Sequence, residues 1–138
     1  MKKIVLVFVA IIAIACCASS FNAENASEYL IENSLPKSKC CCAWYVMRAM
    51  QEGGCCIGIL PAWAYKYDLP LHGFEEVSKK NYKPQVGDIV VFQPVGKHIW
   101  GHIAMYTKHG WMSDYKQKGM FVYKQKTEYN IFRYKRNN

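Results

Sequence analysis

The sequence predicts a single domain of the α+β class, with N-terminal helices packed on an antiparallel β-sheet. Up to about residue 65, apolar residues recur with helical spacing. After Asn81 they form short runs separated by glycine, proline and lysine turns, as strands do. The chain has 138 residues, which is enough for one core, and helices followed by strands indicate the α+β class.

Residues 1–20 differ in composition from the rest of the chain. Two lysines precede an uncharged apolar run that ends at Ala15, and small residues follow. This pattern predicts a signal peptide, followed by one domain over residues 21–138 and export to the periplasm, cell envelope or medium. Lipid anchoring at Cys16 stays open, whereas the apolar run is shorter than the ~20 residues of a membrane-spanning helix.

The main helix is predicted to begin after Ser38, which can act as its N-cap, and to end at Gly53. Its buried positions recur every three to four residues and comprise Cys42, Tyr45, Val46, Ala49 and Met50. A shorter helix is expected over residues 25–34. Another is expected to start at Pro61 and to break at Pro70.

Short apolar runs in the second half predict an antiparallel meander. The runs cover residues 89–92, 103–106, 111–115, 120–124 and 129–134. The sequence Tyr-Lys-Gln-Lys occurs twice, at residues 115–118 and 123–126. We interpret the two copies as neighbouring strands of one sheet.

The formal net charge is +8, and most of the basic excess follows Thr107. A basic surface of this kind attracts anionic lipids or cell-wall polymers, or simply keeps the protein soluble. Nucleic acid is not an expected partner of an exported protein. Adjacent cysteines without a two-residue spacer do not favour a metal site.

Five cysteines follow the predicted signal peptide: Cys40, Cys41, Cys42, Cys55 and Cys56. In an oxidising compartment an odd number leaves one thiol over. A bridge between the 40/41 pair and the 55/56 pair would leave Cys42 free. The sequence does not fix this connectivity.

The pairing of Cys42 with His102 is the strongest functional signal. Cys42 opens the main predicted helix, where unsatisfied backbone N–H groups and the helix dipole favour a thiolate. His102 starts a predicted strand, with the small Ala104 beside it on the same face. A thiol and an imidazole that meet in space form a nucleophile and its base.

A third polar group is expected to orient the imidazole, and Asp114 is the preferred candidate. If the turn after Tyr106 has an odd number of residues, Asp114 shares the face of His102, whereas an even turn presents Ser113. Asp88 follows a glycine directly before an apolar strand, which indicates a structural role in a turn.

Five sequence blocks resemble, in order and spacing, those of the CHAP domain, a cysteine- and histidine-dependent amidohydrolase/peptidase. They are Cys42-Ala-Trp-Tyr-Val with Ser38 four residues before it, Gly53-Gly54, residues 83–92, Gly101-His-Ile-Ala-Met-Tyr106 and residues 111–117. The resemblance spans about residues 29–134. Cys40 and Cys41 depart from it, since small or polar residues are usual there.

The resemblance implies a papain-like fold with the cysteine on a helix and the histidine on a sheet. It also implies hydrolysis of amide or peptide bonds in the stem peptide of peptidoglycan, by an N-acetylmuramoyl-L-alanine amidase or an endopeptidase. His102 would hold the Cys42 thiol as a thiolate, which attacks the carbonyl, and would then protonate the leaving amine, while the Cys42 backbone amide would help to hold the oxyanion. No cofactor is required. The related NlpC-like hydrolases fit the same blocks.

Two other interpretations remain. A secreted, disulfide-stapled, basic binding module would explain the cysteines and the charge, but not the ordered blocks. An enzyme of the same fold could instead be an antibacterial effector, which would have an immunity protein as partner, or a phage lysin.

Overall fold

The computed structural model describes residues 20–135, so the predicted signal peptide up to Ser19, with Cys16, lies outside the described residues. Within this range the α+β prediction is confirmed. The helices are α1 (Ala23–Asn33), α2 (Cys42–Glu52) and α3 (Tyr65–Asp68), and the strands are β1 (Phe74–Glu76), β2 (Ile89–Phe92), β3 (His102–Thr107), β4 (Gly110–Met112) and β5 (Tyr129–Tyr134). No helix in residues 20–135 is long and apolar enough to cross a lipid bilayer.

Helix α2 begins at Cys42 itself, with Cys41 at the N-cap position and no side-chain cap. The prediction that Ser38 caps this helix is wrong, because the Ser38 hydroxyl donates to the carboxylate of Asp114 instead. The helix ends as predicted at Gly53, whose N–H donates to a carbonyl of the last turn. Its four fully buried residues are Val46, Met47, Ala49 and Met50.

The strand order within the described sheet is β1-β5-β2-β3-β4, with antiparallel pairing throughout. The antiparallel prediction is confirmed, but the meander is wrong, because β5 lies between β1 and β2. Strand β1 has only three residues and no clear alternation, so the sequence pattern does not reveal it. Residues 120–124 form no strand, and neither copy of the repeated Tyr-Lys-Gln-Lys lies in one.

The segment after Pro61 forms two 3-10 turns on either side of α3. The first covers Ala62–Ala64 and the second Leu69–His72. The prediction that Pro70 ends the helical segment is therefore wrong. Pro70 sits at the start of the second turn, where its missing N–H has no partner to lose.

The sheet buries both of its faces. On one face, Ile89, Val91, Ile103 and Met105 pack with residues of α1 and α2. On the other face, the alternate residues pack under the loops before β2 and before β5 and include Val90, Phe92, Ala104, Trp111 and Ile131. The first residue of β3, His102, therefore belongs to the face opposite the helices, at the end of the sheet.

Asp88 has the structural role that its position before β2 predicts. Its buried carboxylate accepts from the Gln85 backbone N–H at 2.9 Å, which closes the turn. It also accepts from Arg133 on β5 at 2.7 and 2.8 Å and from the Tyr82 hydroxyl at 2.6 Å. These bonds fix the end of the sheet that lies away from His102.

Candidate active site

The Cys42 thiol lies beside the start of β3. Cys42 is the first residue of α2 and is partly buried against the helix-side core. The backbone N–H groups of Ile103 and Ala43 lie near its sulfur and lower the pKa of the thiol. Because the Ile103 N–H belongs to the peptide that joins His102 to Ile103, the sulfur borders the backbone of the predicted base.

Burial raises the pKa of the Cys42 thiol to about 11. The two backbone N–H groups lower this pKa but do not outweigh the loss of solvent, and the negative charge of Asp114 raises it further. Burial of the thiol therefore opposes the effect of the helix start, which favours a thiolate. Cys42, Cys40 and Cys41 are free thiols, so the sulfur of Cys42 is not locked in a cystine.

Gly101 sets the position of His102. Its φ of +66° lies in the left-handed region, which favours glycine. A Cβ at this residue would overlap the carbonyl oxygen of Phe92 and lie 3.2 Å from the Cβ of Trp63. The missing side chain thus lets β3 begin directly against the end of β2, where His102 pairs with Phe92.

The His102 imidazole is 8% exposed and hydrogen-bonds Gln117 through Nε2, at 2.7 Å from Oε1. The amide nitrogen of Gln117 donates to the Gly119 carbonyl at 3.0 Å, which turns its oxygen toward the imidazole. An acceptor at this place requires a proton on Nε2. In the neutral imidazole Nδ1 is then the unprotonated nitrogen and can accept a proton.

Burial lowers the pKa of His102 below its ordinary value. The hydrogen bond to Gln117 and the charge of Asp114 raise this pKa, and nearby His98 lowers it. The balance favours a neutral imidazole at neutral pH. Burial thus favours the neutral form of both the thiol and the imidazole.

Gln117, and not Asp114, is the hydrogen-bond partner of the imidazole, which corrects the expected third residue. The turn between β3 and β4 has two residues, 108 and 109, so odd-numbered positions after it share the face of His102. The even turn does not bring Ser113 to the imidazole either, because the Ser113 hydroxyl donates to Asp114.

The chain reverses between Ser113 and Tyr115, which returns Gln117 to the level of Trp111. The Gln117 N–H donates to the Trp111 carbonyl at 3.0 Å, and the Ser113 N–H donates to the Tyr115 carbonyl at 3.0 Å. A two-residue turn places odd-numbered positions such as 117 on the face of His102, but the sequence does not show where the turn begins. Sequence reasoning therefore missed this residue.

Asp114 holds the segment that precedes Cys42. Its fully buried carboxylate accepts from the backbone N–H of Lys39 at 2.7 Å and of Cys41 at 3.1 Å, and from the Ser38 hydroxyl at 3.2 Å. The Cys40 N–H donates to the Ser38 hydroxyl oxygen at 3.2 Å. Asp114 thus fixes where α2 begins.

The N–H groups of residues 39, 40 and 41 are all bound in this way. The N–H of the following residue, Cys42, donates to no acceptor in residues 20–135. An unbound N–H at the first position of a helix attracts a negatively charged oxygen. This donor lies beside the thiol, where an oxyanion would form during attack by the sulfur.

The surroundings of the site are aromatic. The His98 ring stacks on Tyr123 with centroids 4.6 Å apart, and Trp44 and Trp100 are more than half exposed. No group of three or more His, Cys, Asp or Glu residues in the described part of the chain could hold a metal ion. The site thus combines a thiol, a neutral imidazole and a free backbone donor.

Comparison with known proteins agrees with this geometry. The CHAP domain family model matches residues 33–118, a range that includes Cys42, His102 and Gln117. The structure is also similar to a chain in the crystal structure of the type VI native effector–immunity complex Tae3–Tai3 from Ralstonia pickettii. The TM-score is 0.72 at 32% sequence identity, with 83% of this chain and 100% of that chain covered.

The selenomethionine form of the same Ralstonia pickettii complex gives a TM-score of 0.68 at 32% identity, covering 78% of this chain and 97% of that chain. Comparison with curated protein sequences gives no match. The family match covers more than half of the chain, so the resemblance inferred from the sequence blocks is confirmed. This chain belongs to the CHAP domain family.

Proposed function

We propose that this protein is an exported cysteine hydrolase that cleaves an amide or peptide bond in the stem peptide of bacterial peptidoglycan. Cys42 is the nucleophile, His102 the base and then the acid, and Gln117 positions the imidazole. The observation that carries the proposal is the packing of Cys42 against the core cluster that contains Ile103, the residue after His102, whose backbone N–H lowers the pKa of the thiol. This packing brings the thiol next to a buried histidine whose Nε2 is already engaged.

In the first step, Nδ1 of His102 accepts the proton of the Cys42 thiol while the sulfur attacks the scissile carbonyl carbon. A carbon–sulfur bond forms, and the carbonyl oxygen becomes an oxyanion. The Cys42 backbone N–H is placed to donate to this oxygen. Burial raises the pKa of the thiol, which favours transfer of its proton to His102 during the attack.

In the second step, the carbon–nitrogen bond breaks and the amine leaves with the proton held on His102. The acyl group remains on Cys42 as a thioester. Water then attacks the thioester carbon, with His102 accepting its proton, and the free thiol is restored. All atoms are accounted for by the substrate, one water and the two side chains.

Asp114 is a positioning residue in this proposal. It touches the backbone before Cys42 and does not contact the reacting atoms. Its charge also raises the pKa of His102, which helps the imidazole to hold the proton between the two steps. Geometry and electrostatics thus assign it a supporting role.

We also propose that the protein acts outside its own cytoplasm, on the strength of the composition of residues 1–20. The structural neighbours are effector–immunity complexes, which favours an antibacterial effector with an immunity protein as its partner. The basic surface would add attraction to anionic wall polymers. Binding to isolated cell walls that is indifferent to ionic strength would reject this attraction.

The disulfide-stapled binding module loses support, because Cys40, Cys41 and Cys42 are free thiols. Cys40 and Cys41 also supply matched controls, since both are exposed and immediately precede the nucleophile. Substitutions at these three positions therefore separate catalysis from general effects of a lost cysteine.

The test measures amines released from purified peptidoglycan by Cys42→Ala, His102→Ala, Cys41→Ser and Cys40→Ser. We expect the first two variants to lose activity with the fold intact by circular dichroism, and the two controls to stay within about twofold of wild type. Activity of Cys42→Ala would remove this residue from the mechanism. Mass spectrometry of the released fragments identifies the bond that is cut.

A further inference from the structure

A cavity of about 350 Å³ lies beside His102, on the side of the sheet away from the helices. Its walls include Phe92, Phe121, Tyr123 and Tyr129. The rings of Phe92 and Tyr123 each lie 6.3 Å from the His102 imidazole, measured between ring centroids. The cavity therefore shares two of its walls with the candidate base.

The aromatic walls support one another. Phe121 packs edge-on against Phe92 at 6.0 Å and against Tyr129 at 5.2 Å. The Thr127 hydroxyl donates to the Gln93 carbonyl at 3.1 Å and ties this loop to the end of β2. The cavity is thus a formed site with a flat apolar surface, of the size that holds a small ligand.

The rim of the cavity is positively charged. Lys124 and Lys126 line it, both are exposed, and neither forms a salt bridge within residues 20–135. The nearby acid Glu128 is bound to Lys66 at 2.6 Å, which leaves the charge of the two rim lysines uncompensated. Lys79 adds a third positive charge, 4.1 Å from the centre of the Tyr129 ring.

We propose that this cavity is a substrate subsite that holds a carboxylate-bearing portion of the stem peptide on the amine side of the scissile bond. This inference rests on the proposed function and names the part of the substrate that the site selects. Lys124 and Lys126 pair with the carboxylate, while the aromatic rings pack against the carbon chain that carries it.

The side of the bond follows from the position of His102. The imidazole delivers its proton to the leaving nitrogen, so the leaving segment lies on the side of the imidazole. The cavity lies on that side as well, since two of its walls, Phe92 and Tyr123, are the rings that neighbour the His102 imidazole. The positive rim favours the peptide over the glycan strand, because the ring hydroxyl and N-acetyl groups of the sugars carry no charge.

Binding to the Cys42→Ala protein tests the subsite without turnover. The probes are the stem tripeptide L-Ala-γ-D-Glu-meso-diaminopimelate with free carboxylates and the same tripeptide with its carboxylates amidated. We expect the free acid to bind about fivefold tighter or more at low salt, and this preference to shrink as salt screens the lysines. In the Lys124→Gln/Lys126→Gln variant the two forms should bind within about twofold of each other.

The matched control is Lys83→Gln/Lys108→Gln, which removes the same charge at the far end of the sheet and should keep the preference. Phe121→Ala should weaken binding of both forms about equally, because it removes wall area and no charge. An unchanged preference in the Lys124→Gln/Lys126→Gln variant, or tighter binding of a neutral N-acetylglucosamine disaccharide than of the tripeptide, would overturn the subsite.

Different experimental results would contradict the subsite and the proposed function. If the wild-type protein releases no amine from purified peptidoglycan, the proposed function fails. If wild type and the Lys124→Gln/Lys126→Gln variant cleave free-acid and amidated muropeptides with the same ratio of kcat/KM, only the subsite fails. The expected result is a KM for the free-acid substrate about fivefold higher in the variant, with kcat little changed.

Discussion

Gln117 fixes the tautomer of His102. Its Oε1 lies 2.7 Å from the imidazole Nε2, and its amide nitrogen is held by the Gly119 carbonyl at 3.0 Å. The amide cannot rotate to present its nitrogen without losing the second bond. The neutral amide of Gln117 therefore orients the imidazole, a role that was expected of the Asp114 carboxylate, and it leaves Nδ1 free to accept a proton.

Replacing Gln117 by Ala should lower kcat while the fold is preserved. The imidazole would lose its orientation and its fixed tautomer, and misplacement of a catalytic group costs up to about 100-fold in rate. We expect a fall of about 10- to 100-fold in kcat on peptidoglycan fragments, with KM little changed. Gln85→Ala is a matched control at an exposed position at the other end of the sheet, and an equal loss in both variants would contradict the positioning role.

The pH dependence of kcat/KM should report the buried imidazole. In the proposed mechanism activity requires neutral His102, so we expect it to fall as the pH falls through the pKa of this residue, which burial places below its ordinary value of 6.5. A carboxylate at residue 117 favours the imidazolium, so Gln117→Glu should move the acid limb to higher pH. An acid limb that stays in place, measured over about pH 4 to 8, would argue that His102 is not the titrating group.

The reactivity of Cys42 should rise with pH far above neutrality. Burial raises its pKa to about 11, and only the thiolate reacts rapidly with iodoacetamide. In a Cys40→Ser/Cys41→Ser protein, we expect the alkylation of Cys42 to be slow at pH 7 and to accelerate up to about pH 11. Mass spectrometry of the labelled peptide measures the rate. Fast labelling at pH 6 would instead indicate a preformed thiolate.

Asp114→Ala should destabilise the protein as well as lower its activity. The substitution leaves the N–H groups of Lys39 and Cys41 without their acceptor, and a buried unsatisfied donor costs about 1–3 kcal/mol. We expect a loss of about 2–4 kcal/mol in the free energy of unfolding, measured with urea. Asp114→Asn keeps one acceptor oxygen and should recover part of this loss. Full activity of the Ala variant would refute a positioning role.

Gly101→Ala should be much more damaging than Gly110→Ala. Both glycines have positive φ, +66° and +95°, so an alanine at either position would adopt an unfavourable backbone conformation that costs about 1–2 kcal/mol. Only at Gly101 would the added Cβ overlap the Phe92 carbonyl, whereas nothing lies within 4 Å of a Cβ at Gly110. We expect Gly101→Ala to lower the free energy of unfolding more than Gly110→Ala does. Only Gly101→Ala should lose activity. Equal effects of the two substitutions would show that the close approach is unimportant.

The sequence by itself determined the main helix, three of the strands and two of the candidate site residues. Helical spacing located the helix that starts at Cys42, apolar runs located β2, β3 and β5, and Gly101 marked His102 as the histidine at a strand start. These features are local, because periodicity and backbone preference act over a few residues. The ordered sequence blocks also indicate the family, because they lie in the same order and spacing as those of the CHAP domain.

Only the tertiary structure decided the contacts between segments that are distant in the chain. A chain reversal after β4 brings Gln117 to His102 and Asp114 to Lys39. No local sequence pattern predicts this reversal. Burial decided the protonation state of Cys42, since the loss of solvent outweighs the helix-start donors. The insertion of β5 beside β2, and the cavity formed by the preceding loop, likewise depend on long-range packing that sequence spacing does not encode.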